Sequence, residues 1–299
     1  MNTTGRLTAY GIGLVLIFGV AAGAGRVIGP DQTPAPASAH GEAHAEPAAE
    51  SGRQRVPGGL QIAQDGFRLS TVTTRLSTGG AQPFRFQVLA ADGTAVTEYT
   101  ENHEKDLHLI VVRRDMSGYQ HVHPVLGADG TWEVPLRVET PGQYRVLADF
   151  QPGGAASSLT LGVDVPAPGD YQPVALPQPA ATASVDGYTV MLDGDLASGA
   201  LGFSVSRGGQ PVTDLEPYLG ARGHLVVLRE GDLAYLHVHP TSETALAFAA
   251  EVPSPGAYRL YLDFQHAGKV RTAEFTLTTA GVSLPAAPTG HDADGHTHD

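Results

Sequence analysis

The chain has 299 residues, enough for roughly two domains of ordinary size, each able to bury its own core. Its 31 acidic residues against 18 basic ones give a formal net charge of -13, which repels a phosphate backbone, and no basic stripe interleaved with aromatics offsets it, so nucleic acid is not an expected partner. The absence of Cys excludes disulfides, thiolate metal sites, iron–sulfur clusters, cysteine nucleophiles and a lipoprotein anchor.

At the N-terminus, Arg6 precedes an uncharged, mostly apolar run from Leu7 to Gly25, close to the ~20 residues a helix needs to cross a bilayer. A membrane-spanning helix is predicted within residues 1–28, tethering the protein to the cell membrane by a single pass with the bulk of the chain extracytoplasmic. Ala22, Gly23 and Ala24 resemble a small-residue cleavage site, so a cleaved signal peptide and a secreted product are the alternative. Residues 29–59 are rich in Pro, Ala, Glu and Gly, carry His40 and His44, and read as a disordered spacer. Two repeats follow, over 60–167 and 185–283, joined by a Pro/Ala-rich linker at 168–184. The tail, 284–299, mixes His291, His296 and His298 with Asp292, Asp294 and Asp299.

The repeat is the most informative feature of the chain. Leu107 to Pro124, "LHLIVVRRDMSGYQHVHP", aligns without a gap on Gly223 to Pro240, "GHLVVLREGDLAYLHVHP", and "PGQYRVLADFQ" from Pro141 matches "PGAYRLYLDFQ" from Pro255. Each copy reads as all-β, with short segments such as "FRFQVLA", "LHLIVV", "TWEVPLRV", "YRVLADF" and "SLTLGVDV" separated by turn signals. Roughly seven strands in about 100 residues is the count of an immunoglobulin-like sandwich, and Pro-Gly-x-Tyr leading into a strand resembles a tyrosine corner, assigning Tyr144 and Tyr258 to structure. The expected fold is therefore two tandem immunoglobulin-like β-sandwiches after an N-terminal transmembrane or signal helix.

The histidines are placed by strand alternation. His121 and His123 share a strand face whatever the register. If the chain turns in two residues at Asp115-Met116, Ile110 lies opposite His121 and His108 opposite His123; the same arithmetic around Gly231-Asp232 sets His224 opposite His239, with His237 beside them. Three imidazoles would then converge in each repeat, a donor set that suits Cu(II), Zn(II) or Ni(II). Asp149 and Asp263, in matching Asp-Phe-Gln segments, would complete a coordination sphere or orient an imidazole, or else pair with Arg145 and Arg259. The competing reading has the histidines bonded to loop carbonyls and serving packing. His103 has Leu219 at its matching position and His266 has Pro152, so any role of these two belongs to one copy alone.

No nucleophile elbow, His-Glu-x-x-His motif or glycine-rich phosphate loop occurs, so no enzymatic activity is expected. The two His-x-His-Pro segments, each followed by its Asp-Phe-Gln strand, resemble the YtkA-like extracytoplasmic domains of bacteria. The resemblance covers most of residues 60–280, and it implies a sandwich outside the membrane, associated with copper or heavy-metal handling and without catalysis. Copper carriers of the CopC type are similar only at the level of the sandwich: a Met-rich segment is missing, with three Met in the chain, and so is a free N-terminal His. The expected function is binding of Cu(II) or Zn(II) for metal trafficking or tolerance, through one cluster per repeat formed by His108, His121, His123 and Asp149, and by His224, His237, His239 and Asp263. Affinity would weaken as pH falls through ~6.5, where imidazole ordinarily takes up its proton. The alternative is a non-catalytic structural or adhesive envelope module that contacts another protein.

Overall fold

The computed structural model describes residues 56–280, which fall within one compact unit. The N-terminal helix expected over 1–28, nearly all of the spacer at 29–59 and the tail at 284–299 lie outside the described residues. Among the described residues no helix is long and apolar enough to cross a membrane.

The first repeat pairs two antiparallel sheets. One runs β1 (Ala63–Gln64), β2 (Phe67–Thr71), β3 (Gln82–Leu89), β8 (Thr131–Leu136) and β7 (Val125–Leu126); the other runs β10 (Leu159–Ala167), β9 (Gly142–Pro152), β5 (Leu107–Arg113) and β6 (Gln120–Val122), with β4 (Tyr99–Thr100) also on β9. The second repeat has one sheet of β11 (Thr182–Val185), β12 (Tyr188–Asp195), β13 (Ala200–Arg207), β17 (Leu246–Ala250) and β16 (Val238–Pro240), with β14 (Gln210–Pro211) on β13, and another of β15 (Gly223–Arg229), β18 (Ala257–His266) and β19 (Lys269–Thr278). The architecture is two immunoglobulin-like sandwiches, as the strand count predicts. Tyr144 and Tyr258 close their corners by donating to the carbonyls of Thr140 (2.8 Å) and Ser254 (2.7 Å), four residues upstream in each case.

Alternation explains which strands carry the cores. In β3 the residues Phe84, Phe86 and Val88 point inward while their neighbours do not. In β5 every residue is buried. Leu107, Leu109 and Val111 face the core of their own sandwich, whereas Ile110 and Val112 join a separate apolar cluster with Leu147, Val226, Leu228 and Tyr261. That cluster contains residues of both repeats, so β5 and β9 of one sandwich pack against β15 and β18 of the other. A strand covered on both sides reads as the continuous apolar run seen at Leu109 to Val112, without the alternation of a half-exposed strand. Tyr119 stacks on Tyr261 at 3.8 Å between centroids, and the Tyr261 hydroxyl donates to the Met116 carbonyl at 2.6 Å, adding directional contacts to the apolar ones.

Both linkers are anchored where they are described. At the end of the spacer, Tyr235 of the second repeat donates its N–H to the Gly58 carbonyl (2.9 Å), Gly59 donates to the Thr160 carbonyl of the first (2.7 Å), and Arg145 donates to the Gly59 carbonyl. The linker expected at 168–184 runs over the Arg113–Asp115 pair: Val174 donates its N–H to Asp115 (2.8 Å), the Gln172 carbonyl accepts from Arg113 (3.2 Å), and the Tyr171 ring lies under the guanidinium. Its last residues already belong to β11, and Leu176 packs into the cluster between the repeats.

Gly162 makes the strap at Gly58–Gly59 possible, because a Cβ there would lie 2.0 Å from the Gly59 carbonyl oxygen and 2.7 Å from Arg145 Nη2. Gly162→Ala is expected to cost ~1–3 kcal/mol and to lower the thermal unfolding midpoint by several degrees, whereas alanine at Gly80, which faces open space and has no positive φ, serves as the control for a simple glycine effect.

Candidate metal centre

The register read from the sequence holds in the first repeat. Ile110 pairs with His121 and Leu109 with Val122, so His108, His121 and His123 lie on the face of β5–β6 that meets the second repeat. The turn is longer than the two residues assumed: Arg113 donates to the Ser117 carbonyl and accepts from Met116, which sits at φ +65°. Across the boundary, β15 brings His224 and β18 brings Asp263. One cluster forms, shared by both repeats, in place of the expected one per repeat.

Its geometry is set by hydrogen bonds behind the rings. His108 Nε2 lies 3.0 Å from the Asn102 carbonyl, which can only accept, so the proton sits on Nε2 and Nδ1 presents a lone pair. His121 Nδ1 lies 2.8 Å from Asp263 Oδ2; as a carboxylate this group accepts, so Nε2 of a neutral His121 presents a lone pair as well. Asp263 is itself held by Thr272, whose hydroxyl donates to Oδ1 at 2.6 Å. These two lone pairs, His108 Nδ1 and His121 Nε2, face each other at 3.0 Å, and His123 Nε2 is 3.2 Å from the same His108 nitrogen. The His224 ring stacks parallel to His108 (5.3 Å, 4°) and lies 4.7 Å from His121, while its buried Nε2 has no hydrogen-bond partner among the described residues.

Ligand atoms of His108, His121 and His224 all fall within 4.8 Å of one another. Zinc–nitrogen bonds of ~2.0–2.1 Å imply about 3.3 Å between tetrahedral imidazole nitrogens, close to the 3.0 and 3.2 Å separations here. The Asp263–His121 pair has the form of a carboxylate orienting a ligating imidazole from behind.

Two expected site residues lie elsewhere, and a third, Asp149, adjoins the cluster without hydrogen-bonding an imidazole. His237 and His239 do not meet His224. The second hairpin begins in the expected register, with Tyr235 bridging Leu228 and Leu236 donating to the Val227 carbonyl. The strand then leaves β15 for the other sheet, where β16 pairs Val238 with Ala250 and His239 with Ala249. Aligning the repeats on their Pro-Gly-x-Tyr segments puts Pro135 of the first at the position of Ala249. Proline has no N–H to give a neighbouring strand, so in the first repeat the corresponding ladder starts only at Val125 and His121 stays on β5. His237 and His239 are consequently exposed, with rings 5.6 Å apart. Asp149 faces His108 across the β5–β9 ladder but makes no hydrogen bond to an imidazole; it accepts from Thr160 (3.0 Å) and from the Tyr235 hydroxyl (3.5 Å). Neither carboxylate pairs with the arginine four residues before it: Arg145 binds Asp164 and Arg259 binds Glu274.

His103, set aside in the sequence because its counterpart is Leu219, sits beside the cluster, 5.7 Å from His224 and 6.1 Å from His108. It is the first residue of a tight turn in which His103 and Glu104 both have positive φ and Asn102 pairs with Lys105; Leu219 and Gly220 repeat the turn in the other copy. Only proximity across the repeats, which no local pattern encodes, reveals it. His266 is remote from the cluster and bonds Tyr188 and Asp214.

A family model described as "Domain of unknown function (DUF8832)" matches residues 62–171 and again 183–281. The chain belongs to the DUF8832 family. No curated protein matches it. Among solved structures it is similar to FdeC, an Escherichia coli adhesin, at 15% identity and a TM-score of 0.24, covering 72% of this chain and 64% of that one. It is also similar to a marsupial T cell receptor (11%, TM-score 0.23, 71% and 62%) and to invasin, a bacterial integrin-binding protein (12%, TM-score 0.21, 70% and 39%). The chain thus spans less than two thirds of each of these structures.

Burial at the junction of the two DUF8832 repeats favours the neutral form of His103, His108, His123 and His224. Desolvation, reinforced by the neighbouring His121, holds His108 down to about 4 and His123 to about 3, and it holds His224 well below the usual imidazole value. Desolvation also lowers His103, and it pushes Asp149 the other way, up to about 6. In the unfolded chain these histidines take up protons near pH 6.5. Their depressed folded values therefore give a stability contribution that is complete above ~6.5 and lost as pH falls towards about 4. Asp149 acts in the opposite sense, since its folded carboxyl takes up a proton first, but it is one group against four. The metal-free chain is expected to melt at progressively lower temperature between pH 6.5 and 4, and a His108→Gln/His123→Gln variant to show a flatter profile. Equal pH profiles for the two would contradict the burial argument.

Proposed function

We propose that the protein binds one divalent transition metal ion, Cu(II) or Zn(II), between its two DUF8832 repeats. It acts as a non-catalytic, membrane-anchored extracytoplasmic protein in metal trafficking or tolerance. The observation that carries this reading is the 3.0 Å approach of His108 Nδ1 to His121 Nε2, each deprived of its proton by an acceptor on the far side of its ring. Two lone pairs at that distance repel unless a cation lies between them. A nitrogen donor set of this kind suits Cu(II) and Zn(II). The buried Nε2 of His224, without a hydrogen-bond partner among the described residues, supplies a third donor. The resemblance to YtkA-like domains points the same way, and the apolar run at Leu7 to Gly25 supports a membrane tether.

The second reading, a structural or adhesive envelope module, is favoured by the parallel stacking of His108 on His224, a packing contact in its own right. Stoichiometry separates the two. In a chain whose His40, His44, His291, His296 and His298 are replaced by Ala, calorimetric titration is expected to give one tightly bound Zn(II) or Cu(II). That ion should be lost in His121→Ala/His224→Ala and retained in His237→Ala/His239→Ala. No tightly bound ion would leave the histidines to packing; two ions, one of them lost with His237 and His239, would restore a cluster in each repeat.

The role of Asp263 gives a finer test. Asp263→Asn keeps the shape but weakens the acceptor behind His121, and affinity is expected to fall about 10–100-fold, the usual cost of losing such a partner. Asp149 hydrogen-bonds hydroxyls and no imidazole, so Asp149→Asn should leave affinity within about two-fold of the parent.

A further inference from the structure

The second His-Val-His segment is unexplained by the site itself: His237 and His239 have left β15 and stand exposed. Their departure has a consequence at the cluster. Where β16 parts from β15 a small cleft opens, lined by His103, Leu219, His224, Val238, Pro240 and Phe248. Val238 is the residue between the two exposed histidines. His103 and His224, whose rings are 5.7 Å apart, both reach into the same opening. Imidazoles therefore mark a route from the surface inward: His239 and His237 outside, 5.6 Å apart; His103, half-buried, at the cleft; then His224, His108 and His121. His237 is also near enough to His103 to help depress its pKa.

We infer that His237, His239 and His103 form the port through which the metal ion enters and leaves the buried cluster, handing it from one imidazole to the next. This inference rests on the metal reading above. The size of the cleft sets the chemistry. Its volume is about 10 Å³, about what one water-sized particle occupies, so an ion in its full hydration shell does not fit. Waters leave as nitrogens replace them, one ligand exchanged for another, with no change in oxidation state. The exposed pair takes the first waters from a hydrated ion. His103, on its rigid two-residue turn, bridges the gap to His224, whose buried Nε2 has no other partner among the described residues. Leu219, the counterpart of His103, lines the same cleft and offers no donor.

The test is kinetic. Zn(II) is transferred from a chromophoric chelator to the full chain lacking the five terminal histidines, and back again, in a stopped-flow instrument. The variants are His103→Leu, which installs the residue the other repeat tolerates at the same turn, and His237→Ala/His239→Ala. Each is expected to slow both loading and release by about ten-fold, with the stoichiometry at one and the equilibrium affinity within about two-fold of the parent. Circular dichroism and the thermal midpoint confirm that the fold is retained. Loading and release at parental rates in both variants would overturn the port while leaving the buried site intact. Loss of equilibrium binding in His103→Leu would also overturn it, by making His103 a resident ligand. A parent chain that takes up no Zn(II) would fail the metal reading itself, and the port with it.

Discussion

Two imidazole nitrogens, each with a hydrogen-bond acceptor behind its ring, are held facing each other where two β-sandwiches meet. Everything about the site depends on what fixes those acceptors. The Asn102 carbonyl comes from the turn that precedes β5, in the same repeat as both rings. The Asp263 carboxylate comes from β18 of the other repeat. Neither sandwich alone sets both tautomers, so docking of the repeats is a condition for the site to exist. That docking has its own driving force in the burial of Ile110, Val112, Val226, Leu228 and Tyr261. Excluding water from this surface also strengthens the polar contacts within it and raises the cost of leaving any nitrogen unpaired.

The duplicated parts have not stayed equivalent. Both repeats keep the positive-φ turn before β5 or β15, the tyrosine corner, and a Thr hydroxyl on the Asp of the Asp-Phe-Gln strand: Thr160 on Asp149 and Thr272 on Asp263. They differ in which partner strand the His-Val-His segment follows. Pro135 in the first repeat withholds the N–H that Ala249 offers in the second. The same four letters, His-Val-His-Pro, therefore lie on the interface face in one copy and on an exposed edge in the other. Asp149 receives the Tyr235 hydroxyl where Asp263 receives an imidazole.

Much of this architecture was legible in the sequence, for reasons that are local. Period-two alternation places His121 and His123 on one face, and pairing across a short turn puts His121 opposite Ile110, because strand geometry leaves few other choices. Pro-Gly-x-Tyr announces its corner through one hydroxyl and one carbonyl four residues away. The unreadable part was the contact between repeats. Nothing near His224 signals that its neighbours are His108 and His121, over a hundred residues earlier. The apolar run Leu109 to Val112 is consistent with a strand covered on both faces, but nothing local says what the second cover is. The departure of β16 was also present in the letters, in a proline one strand away, but its effect appears only once the two ladders are laid side by side.

The inequality of the two halves follows from the cost of burial. Suppose both His-Val-His pairs had stayed on their first strands and both turns had carried His at the position of His103. The junction would then enclose eight imidazoles and two carboxylates, most of them beyond the reach of water. Each buried polar group needs a partner or costs free energy, and a single ion satisfies about four nitrogens. The observed molecule removes the excess: Leu219 carries no nitrogen, His237 and His239 sit in solvent, and Asp149 is satisfied by hydroxyls. What remains at the centre is His108, His121, His123 and His224 with one carboxylate behind them, close to the number that one cation can satisfy. On this argument a lone buried site needs two unequal repeats, and the unequal strand paths of β6 and β16 are what make them so.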